Sequence, residues 1–469
     1  MEEEGALNEA SNERTLPRRL HFIGIGGTGM SGLALLAHEQ GYIVSGSDIV
    51  ENEAIRRLRC KGVEVFIGHR PEQVEGKEAV VVSSAIPPCN EELLAARRLG
   101  VEVMHRGDVL AFLLNPKKGV AIAGTHGKTT TTSMISLLLE TSGFDPTVLI
   151  GGELEDIGGN AKAGRGEFFV AETDESDGSF LKLRPFCAVV TNIDDDHLEF
   201  YGDMEAEKEA FLKFLGNVKD GGLRILCFDH PNVRDILGRV PPPFVTYGMV
   251  EDADYRGRIV QKGKEGSFFE VSFRGEKIAT FSLRIPGDHN VSNALACVVL
   301  GMEFGIPLAY IAEALCAFRG AKRRFEHLGE VHGTLVVDDY AHHPTEMRVV
   351  FETARTCVSG RVIVVFQPHR YTRTRRLYRE MAYALCLTDY VVLLPIYSAG
   401  EREIPGVSSE LIHRELLTRG FDRVAFVNSF EEAAERCLFV VRPGDILITM
   451  GAGDVWKVGV MLVGKNKEV

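Results

Sequence analysis

The feature that most constrains this 469-residue chain is a pair of glycine-rich loops, each placed behind a short apolar run and ahead of a helix-like segment. The first, HFIGIGGTGM (21–30), follows the predicted strand Leu20–Ile25 and precedes a predicted helix over Ser31–Glu39. Gly24, Gly26 and Gly29 fit GxGxxG, which lets a backbone turn tightly and approach a pyrophosphate seated on the helix N-terminus. Asp48 ends the second predicted strand, where dinucleotide folds place an acceptor for ribose hydroxyls. This pattern leaves open NAD or another diphosphonucleoside such as a UDP-sugar. The second loop, VAIAGTHGKTTTT (120–132), carries Gly127-Lys128-Thr129, the end of a P-loop. Its amides suit phosphates, Lys128 reaches the terminal ones, and the Thr129 hydroxyl can meet Mg²⁺. The strict pattern fails because Ile122 stands where the first glycine belongs, and that glycine comes late, at Gly124. The strand before and the apolar helix after (134–139) favour ATP. A simple dehydrogenase has no use for the second loop, nor a simple kinase for the first.

Around these loops, buried β-rich runs alternate with helix-length crossovers, the pattern of parallel strands covered on both faces. The series are 20–25, 42–45, 63–67, 79–83 and 101–104; then 120–123, 168–171, 188–191 and 223–228; then 334–337, 362–366, 390–394, 424–427 and 446–450. Between the last two series, 244–285 is punctuated by turn residues and predicts an antiparallel meander. Three α/β units in series are expected: a flexible tail over 1–17, then 18–106, 107–322 and 323–469. The net charge of -13 argues against nucleic-acid or anionic-membrane binding. Nine cysteines without a CxxC pair read as reduced thiols of a cytosolic protein. The acidic N-terminus lacks a signal-peptide pattern, and no apolar run approaches the roughly 20 residues of a membrane span.

Charged groups cluster just beyond strand ends, where open α/β sheets bind ligands. ETDESD (172–177) would set Glu172 against the P-loop as a Mg²⁺ ligand, while its other acids read equally well as a solvated loop. TNIDDDH (191–197) brings His197 to the same edge, with a helix-cap or core role as the plain alternative. Asn290 and Asn293 share a helix face and suit a purine edge or a ribose; an N-cap is the alternative. Asp338, Asp339, His342 and His343 admit a transition-metal reading, though without the HExxH spacing. His369, Arg370 and Arg373 follow another strand, and the two arginines can fork onto a carboxylate or phosphate. Arg375 and Arg376 read as helix surface.

Taken in order, eight blocks resemble the Mur ligase family: HFIGIGGTGMSGLA (21–34), AGTHGKTTTT (123–132), AETDESDGSF (171–180), TNIDDDH (191–197), GDHNVSNALA (287–296), RRFE (323–326), DDYAHHPTE (338–346) and FQPHRYTRTR (366–375). The late P-loop glycine is normal for that family. The resemblance implies a Rossmann-like N-terminal domain, a central P-loop ATPase domain and a Rossmann-like C-terminal domain. It implies an ATP-dependent ligase that activates a carboxylate as an acyl phosphate, and it is strongest to the branch joining L-alanine to UDP-N-acetylmuramate. A recycling branch, which joins a murein tripeptide to the same sugar, typically has a cysteine and a bulkier residue where this chain has Gly27 and Gly29. The resemblance assigns UDP-N-acetylmuramate to Gly24, Gly26, Gly27, Gly29, Met30, Ser31, Asp48 and Ser84. It assigns ATP to Gly124, Thr125, His126, Gly127, Lys128, Thr129 and Thr130, with His289, Asn290 and Asn293 facing adenine or its ribose and Arg324 and Asp339 beside them. Thr129, Glu172 and His197 would hold Mg²⁺. Tyr340, His342, His369, Arg370 and Arg373 would line the amino-acid face. Lys128, Glu172, His197, His342 and Arg370 would act in the chemistry, with His342 or His197 as candidates for deprotonating the amine. No counterpart of the family's carbamylated lysine is visible in 172–180, and the run 196–208 departs from the usual family form at Phe200 and in its single glycine before Asp203. A cytoplasmic monomer or weak homodimer that closes on its substrates is expected.

Overall fold

The computed structural model describes residues 15–154, 157–196 and 198–465. The chain divides into two compact units, which part between Pro116 and Lys117. The first carries a parallel sheet in the order β3-β2-β1-β4-β5, with β1 (Arg19–Ile23), β2 (Ile43–Asp48), β3 (Glu64–Ile67), β4 (Ala79–Val82) and β5 (Glu102–His105). Strand order reverses direction at β1, so the loop after it opens at a switch point of the sheet. Asn52 and Asn90 cap the helices that follow them through their side-chain oxygens, and Gly100 ends one in the left-handed conformation. The helix Arg106–Leu114 packs against the helix Thr28–Glu39 and against β4 and β5. This unit therefore runs to Pro116, past the Arg106 boundary expected from the strand pattern.

The second unit holds two sheets. One has ten strands in the order β15-β14-β13-β12-β11-β10-β6-β9-β7-β8. These are β6 (Lys118–Ala123), β7 (Thr147–Leu154), β8 (Gly159–Lys162), β9 (Phe168–Glu172), β10 (Cys187–Val190), β11 (Leu223–Cys227), β12 (Phe244–Gly248), β13 (Tyr255–Gly263), β14 (Gly266–Phe273) and β15 (Glu276–Leu283). The β13–β15 meander is antiparallel as expected, but β12 is not part of it. It runs parallel to β11, with Arg224 opposite Phe244, because the helix Pro231–Ile236 provides a crossover between them. The core between this sheet and the helices Lys128–Thr141 and Asp288–Glu303 contains Ile122, Ile135, Val170, Val189 and Leu295, all fully buried.

The other sheet has the order β16-β17-β21-β18-β19-β20, formed by β16 (Glu326–Val331), β17 (Thr334–Asp339), β18 (Val362–Phe366), β19 (Tyr390–Leu393), β20 (Val424–Phe426) and β21 (Ile446–Met450). All pairs are parallel except β16–β17, a short antiparallel edge. Apolar clusters fill both faces, one around Phe351, Phe366 and Met381 and one around Val336, Val365 and Leu447. The loops after β17 and β18 emerge on either side of β21 and carry the histidines and arginines singled out above.

Candidate active site

Residues 120–123 of β6 are fully buried, and the loop leaves that strand on two strained glycines. Gly124 has φ +131°, and a Cβ there would lie 2.2 Å from Thr191 Oγ1. Gly127 has φ +80°, and a Cβ there would lie 2.5 Å from Asn293 Oδ1. Both demands, a left-handed backbone and no side chain, single out glycine. Asn293 thus sits against the loop; its Nδ2 donates to Asn290 Oδ1 at 3.5 Å, while Asn290 Nδ2 donates to the Pro286 carbonyl at 2.7 Å. His289 is within the same turn. Burial pushes its pKa down to about 4, and its buried Nδ1 has no hydrogen-bond partner. Thr125 accepts from the Asp194 amide at 2.7 Å, and Thr130 is buried in the first turn of the helix.

Lys128 folds back over the loop. Its Nζ donates to the Gly124 carbonyl and to Glu175 Oε1, each at 2.5 Å. Burial opposes the charge, but Glu175 and Glu172 outweigh it and hold the lysine pKa above its ordinary value. Glu175 is fully buried, which settles the alternative left open for the 172–177 acids: this one belongs to the site and is not solvated. Glu172 accepts from the Thr129 hydroxyl at 3.1 Å and from the Gly151 amide at 2.7 Å. Burial raises its pKa against the pull of Lys128. A Cβ on Gly151 would lie 2.6 Å from Glu172 Oε1, so the glycine leaves the carboxylate its present place. His197 lies outside the described residues.

Groups from the six-stranded sheet complete the site. Arg324 donates from Nη2 to Thr129 Oγ1 at 3.3 Å and lies over the Tyr340 ring at 5.3 Å. Asp339 holds that segment in shape, accepting from the Phe325 amide at 2.8 Å and the Ala341 amide at 2.7 Å; burial raises its pKa to about 6. The transition-metal reading of Asp338, Asp339, His342 and His343 as one set does not hold, because Asp338, Asp339 and His342 each have separate partners. Asp338 pairs with Arg323 and Thr449, and Asp339 is spent on backbone amides. His342 Nδ1 lies 3.0 Å from the Tyr340 carbonyl, and its ring lies 5.4 Å from that of His369. His369 stacks on Tyr397. Arg373 reaches Asp196 at 2.9 Å, whereas the exposed Arg370 side chain makes no hydrogen bond or ion pair among the described residues.

Three acids that carry contacts here were not singled out by the sequence. His126 Nδ1 lies 3.1 Å from Glu346 Oε1, and its Nε2 lies 3.2 Å from Asp194 Oδ2. Burial disfavours its charge, yet Asp194 and Glu346 raise its pKa to about 9. Asp196 anchors Arg373. The only local signals were the position of Asp194 and Asp196 beyond β10 and that of Glu346 at the end of the DDYAHHPTE run, and neither names a partner.

In the first unit the glycine loop is tied to β2. The amides of Gly24 and Ile25 both donate to the Ser47 carbonyl, and the Gly26 amide donates to Asp48 Oδ2 at 2.8 Å. Asp48 therefore shapes the loop besides standing where a ribose acceptor is expected. Gly27 is exposed, and a Cβ on Gly29 would lie 3.1 Å from Arg106 Nη1. Ser84 is exposed after β4, while Met30 is buried in the core and the Ser31 hydroxyl donates to the Thr28 carbonyl.

Comparison with known proteins places the whole chain. Residues 19–118 match the model described as Mur ligase family, catalytic domain; residues 122–301 match the Mur ligase middle domain; residues 323–453 match the Mur ligase, glutamate ligase domain. The chain is 48% identical to a UDP-N-acetylmuramate–L-alanine ligase of Dictyoglomus turgidum, covering 96% of this chain and 97% of that protein. It is 46% identical to the ligase of the same name from Pelotomaculum thermopropionicum, covering 96% and 98%. The crystal structure of the UDP-N-acetylmuramate-alanine ligase of Thermotoga maritima superposes with a TM-score of 0.83 at 31% identity, covering 96% and 99%. A murein peptide ligase from Psychrobacter arcticus shares the fold, with a TM-score of 0.73 at 24% identity and coverage of 96% and 99%.

Proposed function

The chain belongs to the Mur ligase family, and from that premise we propose how its residues divide the work of joining L-alanine to UDP-N-acetylmuramate at the expense of ATP. The products are UDP-N-acetylmuramoyl-L-alanine, ADP and phosphate, in peptidoglycan precursor synthesis. A carboxylate cannot expel an oxide, so it is first phosphorylated; the amine then displaces phosphate. The observation that carries this reading is the convergence of Lys128, Thr129 and Glu172 at one sheet with Arg324 and Tyr340 from another.

Lys128 exchanges Glu175 for the terminal phosphates of ATP and neutralises charge on the transferred group. Thr129 and Glu172 offer a hydroxyl and a carboxylate oxygen 3.1 Å apart, an oxygen-only set that fits Mg²⁺. When bound, Mg²⁺ neutralises phosphate charge; His197 is assigned to it by resemblance. Asn290, Asn293 and His289 face the nucleoside. Arg370 forks onto the amino-acid carboxylate, with Arg373 held behind it by Asp196. His342 is kept neutral by burial and by Arg373, with its pKa near 4. A proton on Nδ1 satisfies the Tyr340 carbonyl and leaves Nε2 as the acceptor for the ammonium proton. The first unit's glycine loop, with Asp48 and Ser84, holds the UDP moiety. We place the enzyme in the cytoplasm, as a monomer or weak homodimer; among the described residues no helix is long and apolar enough to cross a membrane.

The test is phosphate release from ATP with Mg²⁺ and UDP-N-acetylmuramate, comparing L-alanine with the L-Ala-γ-D-Glu-diaminopimelate tripeptide. Release with alanine alone is expected. Release with the tripeptide alone would move the chain to the recycling branch and overturn the reading of Gly27 and Gly29.

A further inference from the structure

We propose that His126, Asp194 and His343 form a second divalent-cation site, suited to an ion of the Zn²⁺ or Co²⁺ class, that joins the loops of the ten-stranded sheet to the six-stranded one. One ligand atom from each lies within 4.8 Å of the others. His126 follows β6, Asp194 follows β10, and His343 immediately precedes the helix Pro344–Cys357. An ion held by all three bridges two sheets.

The independent observation is His343. It is only 4% exposed, and neither ring nitrogen has a hydrogen-bond partner among the described residues. Burying an imidazole with both nitrogens unmet is costly, and native proteins rarely leave such a group without purpose. Burial also pushes its pKa down, so the ring is in the neutral form that metals take. His126 supplies the second nitrogen. Its Nδ1 lies on Glu346 Oε1 at 3.1 Å, which directs Nε2 toward Asp194 Oδ2 at 3.2 Å. A histidine oriented by an outer carboxylate is the usual arrangement of metal-ligating imidazoles. Asp195 Oδ1, 3.9 Å from His343 Nε2, is placed to add an oxygen. Two imidazoles and a carboxylate prefer borderline ions to Mg²⁺, which prefers oxygen. The chemistry therefore differs from that of the Thr129–Glu172 pair, and the proposal does not depend on the ligase reading. Without the ion, His126 holds a proton between Asp194 and Glu346. Ion entry must expel it.

The experiment uses the full chain, stripped with chelator and free of nucleotide, titrated with Co²⁺. Expected are one equivalent bound with the intense visible absorption of a four- or five-coordinate ion, and about one proton released per ion, read by calorimetry in buffers of different ionisation enthalpy. His343→Ala and Asp194→Asn should abolish the absorption, and Glu346→Gln should weaken binding about 10- to 100-fold. Glu172→Gln should leave it unchanged. Absorption that survives both His343→Ala and Asp194→Asn, or is lost in Glu172→Gln, overturns the proposal, as does no binding to the wild-type chain. Should His343→Ala not fold by circular dichroism, Asp194→Asn, which keeps side-chain shape, decides alone.

Discussion

Arg324 and Thr129, 195 positions apart in the chain, are joined by a hydrogen bond from Nη2 to Oγ1 of 3.3 Å. The arginine comes from the lead-in to the six-stranded sheet and the threonine from the first turn of the P-loop helix. A planar guanidinium can donate to Thr129 while lying over Tyr340; an ammonium cannot do both. Arg324→Lys should lower kcat by about 10²-fold, the scale of losing one preorganised donor, while ATP affinity stays within a few-fold. Single-turnover rates beside equilibrium ATP binding separate the two, and an equal loss in both would contradict the assignment.

Lys128 and Glu175 form a shielded ion pair that ATP must replace. Glu175→Gln strands a largely buried cation, a change that typically costs about 3–5 kcal/mol. The variant should melt well below the wild type without nucleotide. ATP should recover most of the gap, because phosphate takes the place of the lost carboxylate. Thermal unfolding with and without ATP measures this; a gap that nucleotide leaves unchanged would argue that Lys128 does not move to the phosphates.

Gly124 and Gly127 differ from Gly143 in a way that substitution exposes. All three have positive φ, but an alanine Cβ at Gly143 meets nothing within 4 Å. Gly143→Ala should cost about 1–2 kcal/mol of stability and leave ATP binding intact. Gly124→Ala and Gly127→Ala should lose ATP binding by at least about 10-fold, because Thr191 and Asn293 must move. Fluorescent-nucleotide titration of the three variants is the check.

Acid should weaken the six-stranded region through His369 and His342. Burial, with His342 and Arg373 adjacent, pushes His369 down to about 3, and burial with Arg373 pushes His342 to about 4. Each base has a folded pKa below its unfolded value of about 6.5, so it takes up protons on unfolding. Its contribution is complete above pH 6.5 and shrinks as pH falls toward 4, by about 1.4 kcal/mol per unit for each group. Urea unfolding at pH 7 and 4.5 should show a smaller drop for His369→Asn than for the wild type. Identical drops would mean the ring is already protonated in the fold.

The strands that announce themselves by unbroken apolar runs, such as β6, β10, β18 and β21, were legible because both their faces are buried. β8, with the sequence GNAK, has no such run, and β16 is interrupted by an irregularity between His327 and Gly329, so neither edge strand could be read. The site shows the same division. Gly124, Lys128 and Glu172 are legible because the loop and the strand end that carry them are local. The His126–Glu346 and Arg373–Asp196 contacts span 220 and 177 positions. Nothing within reach of one residue names its partner at that range. Only the packing of one sheet's loops against the other's brings them together.

The position of β6 between β9 and β10 has a pharmacological consequence. The loop that seats the nucleotide hangs from an interior strand and is as permanent as the core. Arg324 and Tyr340 hang from a different sheet. A small molecule wedged between the two sheets would separate them without touching the phosphate cradle. Such a compound would halt turnover noncompetitively with respect to ATP, and the high ATP concentration inside a cell would give no protection against it.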